Sequence, residues 1–234
     1  MATSDPIATR IIRRRRIAED TQELALALAQ PLEFQPGQYI AITLPNLPVA
    51  PPYRVREFSM VSAPGDPELT IAFRESDTAY KQAILDPAYT GPIITRGPTG
   101  LFTLPSQITQ PLIFIAGGIG VAPFISMLKQ LVRQPTTMPI TLLRIESSLS
   151  RTAYRPELQG LERALPNLNI VEHFGRIATS SQLSGLIPTL TPESQVFIAG
   201  PLGMTGHTRT LVREFGVMPL SIHMEEFTGY PDLD

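Results

Sequence analysis

The sequence IFIAGGIGVAP, residues 113–123, decides the fold of this chain. Its uninterrupted apolar run predicts a buried strand, and the glycines that follow predict a tight turn into a helix. Glycines at Gly117, Gly118 and Gly120 allow a phosphate to approach the backbone, and the helix that begins near Pro123 offers free N–H groups. The spacing lacks the third glycine of the strict dinucleotide fingerprint, so a plain strand–helix connection stays an alternative.

The same pattern recurs downstream, where the strand-like run Gln195–Ala199 is followed by Gly200 and Pro201. Between and beyond the two turns, strand-like and helix-like runs alternate, with helices expected at Arg155–Ala164 and Met204–Phe215. Alternation of this kind predicts a parallel sheet with helices on its faces. Both glycine turns then lie at the carboxyl edge of the sheet, where open α/β folds bind ligands.

The chain upstream of the turn has a different character. Short strand-like runs at Gln38–Leu44, Glu57–Ser62 and Leu69–Phe73 are separated by proline-rich links, and Ala79–Leu85 is expected to be a short helix. Regularly spaced short strands with turn signals predict a barrel or sandwich. The basic run Arg13–Arg16 is interpreted as a solvated part of a first strand, because acidic residues follow it at once.

The composition of the 234 residues narrows the function classes. The absence of cysteine excludes thiolate nucleophiles, disulfides and cysteine-ligated clusters within the chain. With 19 basic and 21 acidic residues, a broad nucleic-acid surface is not expected. The three histidines show no metal-ligand spacing, so no metal is expected. The uncharged run before Lys129 is broken by glycines and a proline, which argues against a membrane span and favours a cytoplasmic protein.

A further motif, Arg56-Glu57-Phe58-Ser59, lies in a strand-like segment. Strand alternation puts Arg56 and Phe58 on one face, and Glu57 and Ser59 on the other. An arginine for a phosphate, an aromatic plane and a hydroxyl suit a long ligand that crosses the end of the strand. By chemistry alone, a core phenylalanine between surface polar residues is the more common interpretation of such a segment.

Taken together, the order of motifs resembles the ferredoxin–NADP reductase family over essentially the whole chain. The motifs are FQPGQY at 34–39, REFS at 56–59, GPTGLF at 97–102, AGGIGVAP at 116–123, AGPLGM at 199–204 and the closing EEF at 225–227. The resemblance implies an antiparallel six-stranded Greek-key flavin-binding barrel in residues 1–106. A parallel-sheet, Rossmann-like NAD(P)-binding α/β domain with a C-terminal tail would occupy residues 107–234.

The resemblance also implies roles for residues around an FAD. Arg56 would pair with the flavin phosphates, Phe58 would stack on the isoalloxazine in place of the usual tyrosine, and Ser59 would bond near N5. Arg74 would contact the diphosphate or adenine side. The remaining flavin contacts would come from a pyrophosphate loop formed by Gly97, Thr99 and Gly100.

The nicotinamide nucleotide would bind the second domain. Its pyrophosphate would lie on the turn formed by Gly117, Gly118, Gly120 and Pro123, and Gly200 and Pro201 would line the nicotinamide pocket. Ala199 stands where the family commonly has a cysteine that positions the nicotinamide.

Nucleotide preference and the cover of the flavin stay open in the sequence. Ser148, Arg151 and Tyr154 are similar to residues that hold the 2′-phosphate of NADPH, whereas Glu146 suits the ribose diol of NADH. Phe227 or Tyr230 would cover the flavin, with Glu226 or its neighbour Glu225 as a nearby acid; the catalytic set would then be Phe58, Ser59 and Glu226.

The implied activity is hydride transfer from NAD(P)H to the flavin, with electrons passed to a separate acceptor, either a ferredoxin- or flavodoxin-type protein or a small molecule. Two alternatives remain open at this point. One is a free-flavin reductase that uses flavin as a substrate, and the other is a flavin-binding electron-transfer subunit of a larger enzyme.

Overall fold

A computed structural model describes residues 5–227, and its first half is an antiparallel sheet of six strands. The strands are β1 (Ile7–Ala18), β2 (Thr21–Leu28), β3 (Tyr39–Thr43), β4 (Val55–Ser59), β5 (Leu69–Arg74) and β6 (Ile93–Thr99). Their order is β4-β3-β6-β1-β2-β5, so β6 separates β1 from β3. A bridge between Met60 and Ile71 joins the two outer strands, and the sheet curls into the predicted barrel.

The second half is a parallel sheet of five strands in the order β11-β10-β7-β8-β9. These are β7 (Leu112–Gly117), β8 (Ile140–Glu146), β9 (Leu168–Phe174), β10 (Gln195–Pro201) and β11 (Ile222–Phe227). The α-helices are α1 (Ala79–Leu85), within the barrel half, and α2 (Ala122–Arg133), α3 (Arg155–Ala164), α4 (Ser180–Leu186) and α5 (Leu202–Phe215). The predicted fold class is confirmed.

The apolar run of β7 explains why helices cover both faces of this sheet. All six residues of β7 are buried, and alternate side chains enter different cores. Phe114 packs into the core that includes α2, whereas Ile113 and Ile115 pack into the core that includes α5. A strand that is apolar on both faces needs a layer on each side, which is the arrangement typical of a central parallel strand.

Several segments form as the sequence predicts, including two helices and the strand that contains the basic run Arg13–Arg16. Helices α1 and α3 have the predicted bounds, and the hydroxyl of Thr78 caps α1 by accepting from the N–H of Lys81. Strand β1 carries four consecutive arginines, and ion pairs bind three of them: Arg13 to Glu68, Arg15 to Glu23 and Arg16 to Glu75. The basic run is therefore part of the barrel surface.

Two polar seams join the halves. On one side of the molecule, Ser126 of α2 donates to the carbonyl of Ser62 (2.7 Å), and Lys129 pairs with Asp66 (2.9 Å). On the other, the β1–β2 hairpin binds the loop after β8, where the Glu19 N–H donates to the Ser150 carbonyl (3.0 Å). An open cleft lies between the seams.

No helix among residues 5–227 is both long enough and apolar enough to cross a bilayer. In the same described range, no three histidine or acidic side chains come together in a way that could hold a metal ion.

Candidate active site

A cavity of about 1030 Å³ lies between the two sheets. Ligand pockets usually measure about 300–1,000 Å³, so this one can take a large ligand or two ligands side by side. Both halves of the chain contribute to its wall. Of the residues that the sequence predicts for the site, the wall includes Arg56, Phe58, Ser59, Arg74, Gly117, Gly118, Arg151, Pro201, Glu226 and Phe227.

The barrel contributes β4 to the wall. Phe58 is buried in the barrel core, with its ring centroid 5.3 Å from that of Phe73 and 6.3 Å from that of Tyr80. The Arg56 guanidinium donates to the carbonyls of Tyr53 and Val55 and lies 5.1 Å from the Tyr80 ring centre. These contacts fix the arginine and the aromatic side chain at the cavity wall.

The glycine turn of residues 117–120 forms the opposite wall. A Cβ at Gly117 would fall 2.2 Å from the methyl of Met204 and 3.2 Å from Pro201, so the glycine lets these two side chains pack closely against the carboxyl end of β7. Gly120 and Pro123 lie behind the wall. A Cβ at Gly120 would fall 2.2 Å from the carbonyl oxygen of Ala199, and Pro123 is buried in the first turn of α2. Both serve strand–helix packing in this structure.

Arg74 crosses the cleft from the end of β5 to the glycine turn. One terminal nitrogen donates to Asp20, to Thr21 and to the carbonyl of Arg151, and the other donates to Glu146 (3.1 Å). The guanidinium lies 3.2 Å from the position that a Cβ on Gly118 would occupy. This cation therefore lies directly over the predicted phosphate-binding turn.

The loop after β8 is only partly in the cavity. Arg151 lines the wall, but its guanidinium pairs with Asp20. Ser148 lies outside the wall and its hydroxyl bonds to that of Ser150. Tyr154 is turned away from the cavity because its hydroxyl donates to the buried carboxylate of Glu23 (2.9 Å). Burial raises the pKa of Tyr154 well above its usual value, with the Glu23 charge as a second cause.

The structure also leaves three predicted flavin contacts and one nicotinamide contact outside the wall. Gly97 packs against the backbone of Tyr39 and Ile40, and Gly100 packs against the Tyr39 ring, so this loop supports Tyr39, which does line the cavity. Thr99 points to solvent. Gly200 lies behind Pro201, in contact with Gly117, at a positive φ of 150° that favours glycine.

The last strand brings two acids to the cavity in different states. Glu225 is half-buried, and burial followed by the charge of Glu57 raises its pKa to about 7. Glu226 is exposed, and its nearest polar partner is the hydroxyl of Thr205 at 3.5 Å. The two carboxyl groups therefore lie in different environments, and the assignment of Glu226 as the acid, with Glu225 as the alternative, stays a prediction. Phe227 lines the cavity, and Tyr230 lies outside the described residues.

Sequence reasoning missed a second polar group near the carboxyl edge of β9, formed by Arg176 and His207. Arg176 lies two residues after the end of β9, and its guanidinium donates to Nδ1 of His207 (3.4 Å), whose Nε2–H donates to the carbonyl of Ile177 (2.8 Å). Both side chains line the cavity. The signal was present, because every loop at the carboxyl edge of a parallel sheet is a candidate for ligand binding.

Comparison with known proteins finds a matching family model and several relatives of this chain. Residues 114–210 match the family model of the oxidoreductase NAD-binding domain. A ferredoxin–NAD(P)(+) reductase component of naphthalene 1,2-dioxygenase/salicylate 5-hydroxylase systems, from Ralstonia sp, is 28% identical over 223 residues. The match covers 91% of this chain and 65% of that protein. The chain thus spans about two thirds or less of the first curated relatives that it matches.

Solved structures share the fold at low sequence identity. A cytochrome P450 reductase from Amycolatopsis superposes with a TM-score of 0.81 at 20% identity, covering 96% of this chain and 70% of that one. The flavohem-like FAD/NAD binding domain of nitric oxide dioxygenase from Vibrio cholerae gives a TM-score of 0.77, also at 20% identity. The superposition covers 96% of this chain and 99% of that domain.

Proposed function

We propose that this chain, a member of the ferredoxin reductase-like family, is an NAD(P)H-dependent flavoprotein reductase that passes electrons to a separate acceptor. One observation carries the proposal: the Arg56–Ser59 strand of the barrel and the glycine turn of the α/β half face each other across one cavity of about 1030 Å³. A flavin and a nicotinamide nucleotide would meet there. Bound flavin supplies the redox chemistry by accepting a hydride and releasing electrons.

The cavity fits a flavin nucleotide by shape and by chemistry. Ala72, Phe58 and Phe73 give the barrel side an apolar surface for an aromatic ring system, and Ser59 and Arg56 add a hydroxyl and a cation beside it. FAD is the cofactor we propose. These residues would bind and orient the ring, and the buried wall behind Phe58 would keep water from that face.

For the reductant, we propose NADPH over NADH. Arg176 and His207 are cationic or polar groups open to the cavity, and Arg176 forms no ion pair within residues 5–227. The carboxylate of Glu146 is already engaged by Arg74 and Arg144, so it is not free for a ribose diol. Arg176 would thus bind a 2′-phosphate, with His207 holding its guanidinium.

A direct measurement tests this preference. Arg176→Gln is expected to weaken NADPH binding at least about tenfold and NADH binding much less, because a charge-assisted phosphate contact is lost. Arg163→Gln removes an exposed arginine of α3 outside the cavity and should change neither affinity. Equal losses for both nucleotides in the Arg176 variant would contradict the NADPH assignment.

The activity itself is tested by anaerobic titration of the purified chain with NADPH and NADH. We expect a flavin-containing protein whose visible flavin absorption bleaches on addition of nucleotide, and Phe58→Ala should lose flavin. A chain that binds no flavin would overturn the proposal. Flavin that is lost on dialysis yet still reduced would favour a free-flavin reductase, in which flavin is a substrate.

The relatives also suggest which kind of molecule accepts the electrons of this chain. One relative named above is a reductase component of oxygenase systems, so we propose a small redox protein as the partner and a cytoplasmic location. A screen of ferredoxin-, flavodoxin- and quinone-type acceptors distinguishes a protein acceptor from a small-molecule acceptor. Little activity alone, together with co-purification of a larger oxygenase, would favour the electron-transfer subunit.

A further inference from the structure

We propose that the ion pair between Arg74 and Glu146 is an autoinhibitory contact: it covers the glycine turn of residues 117–120, and a phosphate binds there only when the pair opens. Arg74 is the last residue of β5 in the barrel, and Glu146 is the last residue of β8 in the second sheet. The inference rests on the proposed function in one respect, because that function gives the turn a phosphate to bind.

The side chain of Arg74 is fixed by both halves of the chain. In the barrel, one terminal nitrogen donates to Asp20 and to the hydroxyl of Thr21 (2.7 Å). In the second half, the same nitrogen donates to the carbonyl of Arg151 (2.9 Å), and the other terminal nitrogen donates to Glu146 (3.1 Å). Only 20% of the arginine side chain is exposed. The guanidinium is therefore held in the cleft and does not extend into solvent.

The pair lies directly on the turn. A Cβ built on Gly118 would fall 3.2 Å from the nitrogen of Arg74 that binds Glu146, 3.8 Å from Nε of the same arginine and 3.9 Å from Oε2 of Glu146. The guanidinium and the carboxylate thus fill the space in front of this glycine. A phosphate oxygen must come within about 3 Å of a backbone N–H to accept from it. From this side, a phosphate can approach the turn only after the guanidinium has moved.

The carboxylate of Glu146 keeps a partner when the pair opens. It is buried, and Arg144 lies 3.4 Å from it with only 1% of its own side chain exposed. Arg144 is fixed in turn, because it donates to the carbonyl of Ala153 (2.6 Å) and pairs with Glu172 (3.4 Å). A buried charge that loses its only partner is strongly destabilising. Because Arg144 stays, opening of the contact does not leave an unpaired carboxylate in the interior.

Arg74 also keeps a partner in the open arrangement, since Asp20 belongs to the β1–β2 hairpin of its own half. A guanidinium that leaves Glu146 can turn to a phosphate at the glycine turn and donate two parallel hydrogen bonds to it. The same cation thus has two arrangements, and an anionic ligand of the turn favours the open one. The affinity for such a ligand falls with the fraction of chains in which the turn is covered.

The test is the affinity of the full chain for ADP, which carries two phosphates and cannot reduce a flavin, measured by titration calorimetry. Glu146→Gln keeps the shape of the side chain but removes the charge that holds Arg74, so ADP should bind at least about threefold more tightly. Glu172→Gln is the matched control. It removes another carboxylate that pairs with Arg144 and does not contact Arg74, so it should leave the affinity for ADP unchanged.

A double-mutant cycle separates release of the contact from simple charge repulsion. In an Arg74→Gln background the pair is already absent, so the further change Glu146→Gln should alter the ADP affinity by less than about 1.5-fold. If Glu146 only repelled the phosphates, its removal would tighten binding at least as much in that background as in the unaltered chain. That result would overturn the proposal, and so would equal ADP affinities of the unaltered chain and Glu146→Gln.

A second measurement keeps both members of the pair intact. The carboxyl carbon-13 signal of Glu146, assigned with Glu146→Asp, should move when ADP is added to the unaltered chain, because Arg74 leaves the carboxylate. A signal that stays in place while ADP binds would overturn the autoinhibitory contact and leave the nucleotide site of the proposed function standing. Failure of the unaltered chain and of every variant to bind ADP would overturn both.

Discussion

At the scale of single residues, glycines decide how closely the second sheet packs on its helices. Gly120 and Gly160 illustrate the two extremes. The backbone of Ala199 occupies the space that a side chain on Gly120 would need. A Cβ on Gly160 of α3, by contrast, would have no atom within 4 Å. The same residue type is therefore indispensable at one position and dispensable at the other.

Gly120→Ala is expected to destabilise the chain by about 1–3 kcal/mol, because its Cβ would fall 2.2 Å from the Ala199 carbonyl oxygen and the backbone must move. Gly160→Ala is the matched control and should stabilise the chain by about 0.5–1 kcal/mol, since alanine favours a helix and meets no atom. Chemical denaturation measures both. Equal effects of the two variants would contradict the packing role of Gly120.

The raised pKa of Glu225 has a consequence for stability. Because the folded-state pKa of about 7 exceeds the ordinary value of 4.5, folding favours the protonated form. The contribution of Glu225 to the free energy of unfolding is therefore full below pH 4.5 and falls as the pH rises to 7. Glu225→Gln cannot ionise, so its stability relative to the unaltered chain should increase from pH 4.5 to pH 7.5. A pH-independent difference in denaturation midpoints would refute this.

At the scale of elements, the β1–β2 hairpin and the loop after β8 hold each other in position through hydrogen bonds and ion pairs. Tyr154 adopts a left-handed backbone (φ 62°), which is uncommon for a bulky residue, and burial together with the bond to Glu23 holds it there. Arg15 bridges Glu23 and Glu157 of α3 at the same junction. This explains why residues that resemble nucleotide ligands in sequence act as a link between the halves.

Tyr154→Phe tests the structural role of this tyrosine. Removal of the hydroxyl leaves the buried Glu23 carboxylate short of a donor and should cost about 1–3 kcal/mol of stability. The affinity for NADPH should stay within about twofold, because the hydroxyl does not reach the cavity. A large loss of affinity with unchanged stability would instead place Tyr154 at the nucleotide.

At the scale of the whole molecule, the two seams and the cleft between them make the binding site a property of both halves. Each half provides one wall, and neither wall alone encloses a ligand. Any ligand that contacts both walls therefore stabilises their arrangement as well as each half.

Ligand-linked stability follows from this. FAD at a hundred times its Kd should stabilise the folded chain by about 2.7 kcal/mol, if it binds only the folded form. The melting temperature should then rise with FAD concentration, and Phe58→Ala should reduce the rise. Scanning calorimetry at several FAD concentrations measures it. A melting temperature that does not respond to FAD, FMN or NADPH would contradict a nucleotide site in the cleft.

The sequence by itself determined the fold and the main walls of the site. The apolar run that ends in glycines predicted a strand, a turn and a helix. The order of the motifs indicated a barrel in the first half and an α/β domain in the second. The bounds of α3 followed from apolar spacing, and α1 was also expected where it forms. The sequence also placed Arg13–Arg16 in a first strand, but it did not indicate which acids pair with these arginines, because some, such as Glu157, lie up to 142 residues away.

Only the tertiary structure decided which polar side chains reach the cavity. Tyr154 and Arg151 lie close together in the sequence, in a stretch that resembles the nucleotide ligands of the family. In the structure, their side chains bond to Glu23 and Asp20, which lie more than a hundred residues earlier in the chain. Glu225 and Glu226 are the same residue type in adjacent positions, and the packing of the last strand leaves Glu225 half-buried and Glu226 exposed. A local pattern specifies how the chain folds nearby, whereas the partner of a charge depends on what the rest of the chain brings next to it.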